Sequence, residues 1–212
     1  MPVHANDFEY EVEERVVFRD GVIAETWDRG LMAYDEGINW SVCNEPSGCP
    51  NIDFGITSDA ERGDVIYINH ADNDQMNSAF IESTSTLEMG QFLEGMLTFD
   101  IKTVNGSSEY FVILGCMYAC RSDPILFSTN GSTEWQTITL PVGEFVTQGL
   151  DIDRVNYVII SSVNQRNTLY FIDNIYFSTS NAPDNNDGIL DSDEALPYNP
   201  MTSVDTDYDG YP

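Results

Sequence analysis

The last strand-like segment of the chain places a carboxylate among apolar residues. Asp173 lies within Leu169–Phe177, whose sequence is LYFIDNIYF. Because alternate residues of a strand share a face, Asp173 is predicted to point the same way as four apolar residues, Leu169, Phe171, Ile175 and Phe177. If that face is the core face, an ionised carboxylate there costs several kcal/mol unless a positive charge neutralises it. The segment therefore predicts a buried basic side chain or a bound cation beside Asp173.

Two partners for Asp173 are compatible with the sequence. The chain has eight Lys and Arg residues among 212, and this scarcity favours a hard cation such as calcium, which prefers oxygen ligands. The alternative is an ion pair between Asp173 and Arg15 or Arg19.

The charge of the chain restricts its partners. Thirty-six acidic residues against eight basic ones give a formal net charge of −28. Such a charge repels nucleic acid, anionic membranes and polyanionic glycans, so neutral polymers or cations are favoured as partners. No apolar run approaches the ~20 residues that span a bilayer. We expect a monomer that binds neither nucleic acid nor membrane.

Four cysteines form two close pairs in sequence, Cys43 with Cys49 and Cys116 with Cys120. An even number at short spacings favours two local disulfides and an oxidising compartment, and therefore a secreted or cell-surface protein. A zinc site is the competing interpretation, but the spacings differ from the usual two-residue knuckle and both histidines lie far away in sequence.

Short alternating or apolar runs separated by turn signals predict an all-β fold. The predicted strands are 15–19, 38–42, 65–68, 79–84, 91–102, 110–114, 125–128, 135–140, 155–161 and 169–177. About ten strands without a convincing amphipathic helix indicate a β-sandwich. The segments 91–102 and 110–114, joined by a turn-like Val-Asn-Gly-Ser-Ser sequence, are predicted to form a long hairpin.

The composition changes after residue 178. We predict a sandwich domain over residues 8–178 and an acidic segment over 179–212. The segment carries oxygen donors at alternate positions before glycines, which is the spacing of calcium loops. Its candidate ligands are Asn185, Asp187, Asp191 and Glu194. The segment resembles thrombospondin type 3 repeats, and the alternative is a solvated acidic linker that does not order.

The sequence lacks the common catalytic motifs. It contains no Gly-x-Ser-x-Gly, no His-Glu-x-x-His and no Glu-x-Asp-x-x-Glu run. With so many carboxylates, a pair at catalytic distance carries little information. We therefore expect a protein that is not an enzyme.

Five segments together resemble a carbohydrate-binding module. They are Val17–Val22, Trp27, Cys116–Cys120, Glu134–Pro141 and Leu169–Phe177. The pattern is similar to the galactose-binding-like C-terminal domain of ExoP-type exo-β-glucanases of marine bacteria. The resemblance implies a galactose-binding-like jelly roll. It also implies that the domain is an accessory module, covalently linked to the catalytic domain of a glycoside hydrolase.

The resemblance also implies a structural calcium ion held by Asp173. Because the first and last strands commonly lie side by side in such sandwiches, the resemblance implies the same pairing here. The other oxygen donors are therefore expected near the first strand, where Asp20 is the strongest candidate, followed by Glu14 and Glu25.

Sugar binding uses an aromatic ring under a pyranose, with polar groups for its hydroxyls. Trp40 and then Trp27 are the predicted platforms, whereas Trp135 is predicted to pack in the core. Further candidates are Tyr118, at the tip of the Cys116–Cys120 loop, its neighbours Arg121 and Asp123, and His70. The ligand expected is a neutral β-glucan of the laminarin β-1,3 type. The alternative function is a calcium-stabilised structural or adhesive domain, in which the disulfides merely pin loops.

Overall fold

A computed structural model describes residues 13–36, 41–116 and 120–179. Residues Glu13–Thr179 form one compact unit. In chain order the strands are β1 Glu14–Arg19, β2 Val22–Ile23, β3 Gly30–Asp35, β4 Ser41–Cys43, β5 Ile52–Asp59, β6 Gly63–His70, β7 Asn77–Leu87, β8 Met96–Asn105, β9 Glu109–Cys116, β10 Cys120–Arg121, β11 Ile125–Ser128, β12 Gln136–Pro141, β13 Val155–Ser162 and β14 Leu169–Ser178. A six-residue helix, α1 Val142–Thr147, follows β12.

The strands form two antiparallel sheets. In the first sheet the order is β12-β8-β14-β1-β2, and β6, which carries β5, also pairs with β14. In the second sheet the order is β10-β9-β13-β7-β3-β4, and β11 also pairs with β9. The predicted β-sandwich is confirmed, and so is the pairing of the first strand with the last.

Alternation along the strands builds the core between the sheets. On β9 the side chains of Tyr110, Val112 and Leu114 are buried in the core, as are those of Val158 and Ile160 on β13. The residues between them face outward from the second sheet. The outer face of this sheet is therefore formed by every second residue of its strands.

The predicted hairpin between residues 91–102 and 110–114 is wrong. Strand β8 pairs with β12 and β14 in the first sheet, whereas β9 pairs with β13, β10 and β11 in the second. Gln91 and Phe92, predicted to begin the strand, lie in a 3-10 turn, Gly90–Phe92, and the strand begins at Met96. The connection between β8 and β9 thus crosses from one sheet to the other.

A β-bulge changes the facing of residues along β14. Tyr170 and Ile172 are buried before the bulge, and Ile175 and Phe177 are buried after it, so the core-facing set shifts by one residue. The register breaks after Asp173, and Asn174 has a left-handed φ of 50°. The shift occurs where the neighbour of β14 changes, because β6 pairs with residues up to Ile172 and β1 with residues from Ile175.

Both predicted disulfides are confirmed, Cys43 with Cys49 and Cys116 with Cys120. The first joins β4 to the segment before β5, and the second joins the adjacent ends of β9 and β10. Among the described residues, no helix is long and apolar enough to cross a membrane.

Candidate functional site

A groove of about 400 Å³ lies on the outer face of the second sheet. Strands β3, β4, β7, β10 and β13 supply its lining, which consists of Tyr34, Val42, Phe80, Glu82, Arg121, Tyr157 and Ile159. These side chains share a surface because each occupies an outward position of its strand.

Three aromatic rings from neighbouring strands follow one another across the groove. The ring centroids of Tyr34 and Phe80 are 6.2 Å apart, with an angle of 42° between the rings. Those of Phe80 and Tyr157 are 6.4 Å apart, in an edge-to-face arrangement with an angle of 67°. The three rings are therefore tilted against one another and do not form one flat surface.

Tyr157 is positioned by a glycine on the neighbouring strand. It lies opposite Gly115 of β9, and an added Cβ at Gly115 would overlap the Tyr157 ring. Burial raises the pKa of the Tyr157 hydroxyl, and the charge of Arg121 acts in the opposite direction. Arg121 lies opposite Gly115 on its other side. The missing side chain at Gly115 thus lets Tyr157 and Arg121 approach each other over β9.

Glu82 provides a carboxylate at the same end of the groove. It lies opposite Tyr157 and forms an ion pair with Arg29, with 2.8 Å between Arg29 Nη1 and Glu82 Oε2. Burial raises the pKa of Glu82, whereas Arg29 and a hydrogen bond from Asn156 lower it. The described lining thus combines an aromatic and aliphatic floor with one carboxylate and one guanidinium, an arrangement that suits a hydroxyl-bearing ring.

The predictions that Trp27 and His70 bind the ligand are wrong, because both side chains are buried. Trp27 is 1% exposed and belongs to the core. His70 is also 1% exposed, its Nδ1 contacts Asn77 Oδ1, and burial lowers its pKa to about 4. Within the described part of the chain, His70 Nε2 has no hydrogen-bond partner. Neither side chain can contact a ligand at the surface.

The other predicted ligand-binding residues have different outcomes. Arg121 lines the groove, and its role there stays a prediction. Asp123 is exposed but is not part of the lining, and its backbone N–H donates to the Gln148 carbonyl. Trp40 and Tyr118 lie outside the described residues.

Sequence reasoning missed the aromatic residues of the groove. Phe80 and Tyr157 fall within predicted strands, and Tyr34 falls in β3, which was not predicted. The available signal was alternation: Phe80 stands between the buried Ala79 and Ile81. An aromatic residue out of phase with the core positions of its strand is a candidate for the outer face.

Asp173 lies on the outer side of the first sheet, contrary to the predicted core face. It is 4% exposed and opposite Asp100, which is 6% exposed. Burial is the largest cause that raises the pKa of Asp173; Asp100 and Asp20 raise it further, whereas Arg62 and a hydrogen bond from the Asn174 backbone lower it. The two carboxylates are thus buried together because β14 and β8 are neighbours.

An arginine supplies positive charge beside these carboxylates, but it is neither of the two predicted. Arg62 Nη1 lies 2.9 Å from Asp100 Oδ2, which also accepts a hydrogen bond from Asn174 Nδ2. Arg15 instead donates to the Glu88 carbonyl, and Arg19 pairs with Glu14 at 2.9 Å. The alternatives that paired Asp173 with Arg15 or Arg19 are therefore wrong.

The predicted calcium ligands are only partly brought together. Asp20, which follows β1 with a φ of 53°, is close enough to Asp173 to affect its pKa. Glu14 is engaged by Arg19, and Glu25 is exposed on a 3-10 turn. Among the described residues, no three His, Cys, Asp or Glu side chains are grouped so as to hold a metal ion. Asn185, Asp187, Asp191 and Glu194 lie outside those residues, so calcium binding stays a prediction.

The prediction that Trp135 packs in the core is wrong. Trp135 lies over the outer side of the first sheet. Its Nε1 donates to Asp59 at 3.3 Å. The Arg62 guanidinium lies 5.3 Å from its ring centroid and Lys102 Nζ lies 5.8 Å away. Two cations against the ring make it part of a charged network.

The sequence matches no family model and no curated protein, but solved structures share the fold. The family 11 carbohydrate-binding module of cellulosomal cellulase Lic26A-Cel5E of Clostridium thermocellum is 15% identical, with a TM-score of 0.57 over 81% of this chain and 97% of that one. The family 30 module of cellulosomal cellulase Cel9D-Cel44B of the same organism is 15% identical, with a TM-score of 0.54 over 80% and 99%.

The extra C-terminal domain of the exo-1,3/1,4-β-glucanase ExoP from a Pseudoalteromonas species is 11% identical, with a TM-score of 0.55 over 77% of this chain and 91% of that one. At such identities these similarities establish the fold. They confirm the predicted resemblance to the sandwich of carbohydrate-binding modules and to that of the ExoP C-terminal domain.

Proposed function

We propose that this domain is a non-catalytic carbohydrate-binding module and that the groove on the second sheet is its binding site. The observation that carries the proposal is the row of Tyr34, Phe80 and Tyr157, with Arg121 and Glu82 beside Tyr157. A pyranose places its C–H face on an aromatic ring while charged and polar groups bond its hydroxyls. The shared fold with carbohydrate-binding modules supports this assignment.

The ligand is a neutral β-glucan, with the laminarin β-1,3 type favoured. The net charge of −28 disfavours a polyanionic glycan. Aromatic rings that are not coplanar suit a single glucan chain better than the flat surface of a crystalline polymer. The ExoP-like fold is consistent with a glucan.

The domain acts by targeting. Attached to a catalytic domain, a module that binds the polymer raises the effective concentration of the catalyst at its substrate. Two disulfides favour a secreted or cell-surface location. We also propose that the domain is a monomer and that it binds the glucan without another protein.

Affinity electrophoresis in native gels tests the proposal. Gels contain laminarin, mixed-linkage glucan, agarose, xylan, pectin or alginate, with calcium throughout. We expect retardation by a neutral glucan that is lost in Tyr157→Ala and Phe80→Ala. Tyr67→Ala is the matched control, because Tyr67 is a half-buried tyrosine of the first sheet that lies far from the groove in strand order.

Two outcomes would overturn the proposal. Absence of retardation in every gel would favour the structural or adhesive domain. Retardation by a glucan that persists in folded Tyr157→Ala and Phe80→Ala variants would move the site away from this groove.

We also propose that calcium binds beside Asp173 and Asp20 and stabilises the sandwich. A buried carboxylate with a raised pKa next to another acidic residue supports a need for positive charge. Arg62 supplies part of that charge through Asp100. Among the described residues, no three acidic side chains are grouped so as to hold a metal ion. Backbone carbonyls would therefore have to complete the site.

A further inference from the structure

The outer face of the second sheet continues beyond the groove along one cross-strand row. Tyr34 lies opposite Ser78, and the Ser78 and Ser161 hydroxyls of the next two strands are 3.4 Å apart. Both serines are buried, at 2% and 0% exposure, so the surface above them is formed by the residue that covers them. Ser161 lies opposite Phe111, which in turn lies opposite Leu126. The row thus begins at an aromatic residue of the groove and crosses five strands to a second apolar pair.

The middle of this row is polar and uncharged. Gln165, in the loop between β13 and β14, reaches over both serines, with Nε2 at 3.5 Å from Ser78 Oγ and 3.4 Å from Ser161 Oγ. Its Oε1 accepts a hydrogen bond of 3.0 Å from the Asn77 backbone. The contacts of Nε2 are at the long limit for hydrogen bonds, so a ligand hydroxyl can compete for this amide at small cost.

The far end of the row is an apolar patch formed by Phe111 and Leu126. Leu126 is 68% exposed, and Phe111 beside it is half-buried. An aromatic ring with an adjacent exposed aliphatic side chain offers a second surface for a sugar ring. Three inter-strand spacings, or about 14 Å, separate the strands of Tyr34 and Phe111.

We propose that the Phe111–Leu126 patch and the Gln165 amide form a second contact site for the same glycan chain. The ligand is then a linear neutral oligosaccharide or polysaccharide that runs across the strands, long enough to reach from Tyr34 to Phe111. The absence of charge along the described row, on a chain of net charge −28, suits a neutral polymer. This inference rests on the proposed function and adds a minimum ligand length to it.

Titration calorimetry with laminari-oligosaccharides, from the biose to the hexaose, and with the matching cello-oligosaccharides tests the inference. We expect affinity to rise with chain length. Phe111→Ala and Leu126→Asp are expected to weaken hexaose binding about five- to tenfold and to leave biose binding unchanged, because only the longer ligand reaches the patch. Gln165→Ala is expected to weaken hexaose binding by a smaller factor.

The matched control is Val22→Asp, which places the same charge at an aliphatic residue that is 64% exposed on the first sheet. It is expected to bind the hexaose as the unchanged protein does. Near-ultraviolet circular dichroism checks that each variant is folded, and Leu126→Asp keeps the test decisive if Phe111→Ala is unstable.

The results separate this inference from the proposed function. Hexaose binding that is lost in Tyr157→Ala but unchanged in Leu126→Asp and Phe111→Ala would overturn the second contact site and leave the groove in place. Two results would overturn both the groove and the second contact site. The first is a wild-type protein that binds neither laminarihexaose nor cellohexaose, and the second is a Tyr157→Ala variant that binds the hexaose with wild-type affinity.

Discussion

Gly115→Ala tests how the groove is built, because it perturbs an aromatic residue of the site without removing it. The added Cβ would overlap the Cζ and hydroxyl of Tyr157 and would lie 2.6 Å from its Cε1. Carbon atoms in contact are about 3.5–4.0 Å apart, so the ring has to leave its position. We expect a loss of about 1–3 kcal/mol in the free energy of unfolding, as for other overpacked sites. We also expect about a tenfold loss of glucan affinity, which is about 1.4 kcal/mol.

A double-mutant cycle with Tyr157→Ala identifies the cause. Once the ring is absent, the alanine at position 115 has room and avoids the entropic cost of glycine in a strand, so its destabilising effect should disappear. Urea denaturation gives the free energies of unfolding and calorimetry gives the affinities. Gly143→Ala is the control, since its Cβ would meet one atom, the Leu93 carbonyl oxygen, at 3.3 Å. Wild-type affinity in a folded Gly115→Ala variant would refute the placement of Tyr157 in the binding surface.

Three further predictions concern pH, calcium and salt. The pKa of His70 is about 4 in the folded protein and about 6.5 in an unfolded chain, so the unfolded chain takes up the proton first and stability falls as the pH decreases from about 6.5 to about 4. The loss in the free energy of unfolding reaches about 3 kcal/mol. Urea denaturation of His70→Gln should show that its free energy of unfolding depends less on pH over this window. An equal pH dependence in both proteins would show that His70 is not responsible. Chelation of calcium is expected to lower the melting temperature of the unchanged protein but not that of Asp173→Asn, and scanning calorimetry that finds no response in the unchanged protein would exclude a stabilising site at Asp173. Glucan affinity is expected to change less than about twofold between low and high salt, because a neutral ligand is not screened; a steep decrease would instead indicate an anionic ligand.

The alternation of apolar and polar residues was enough to predict most of the described strands. Four were missed, and the two longer ones, β3 and β5, show the limit of this signal. Strand β3 contains Gly30 and Ala33, which are weak strand formers, and β5 is interrupted by Gly55. Both form because their neighbours β7 and β6 supply backbone hydrogen bonds and a core to face. Local propensity does not contain that information.

Asp173 shows how a correct observation at one residue can lead to the wrong face. The sequence marks it as a carboxylate among apolar residues, and the structure buries it. Its orientation depends on the bulge after Asp173, and that bulge depends on two separate strands that share one side of β14. The positive charge nearby comes from Arg62, more than one hundred residues earlier in the chain.

Residue types and their spacing were sufficient for the all-β class and the two disulfides, because these follow from local alternation and from short loops between cysteines. The tertiary structure decided which strands pair, which aromatic rings stay in the core and which line the groove. Trp27 and Tyr157 are both aromatic, and this character alone does not tell a core residue from a groove residue. Trp27 is buried in the core, whereas Tyr157 lies in the groove. The difference arises because sheet pairing joins residues that are distant in sequence, and the register of that pairing sets the face of every side chain.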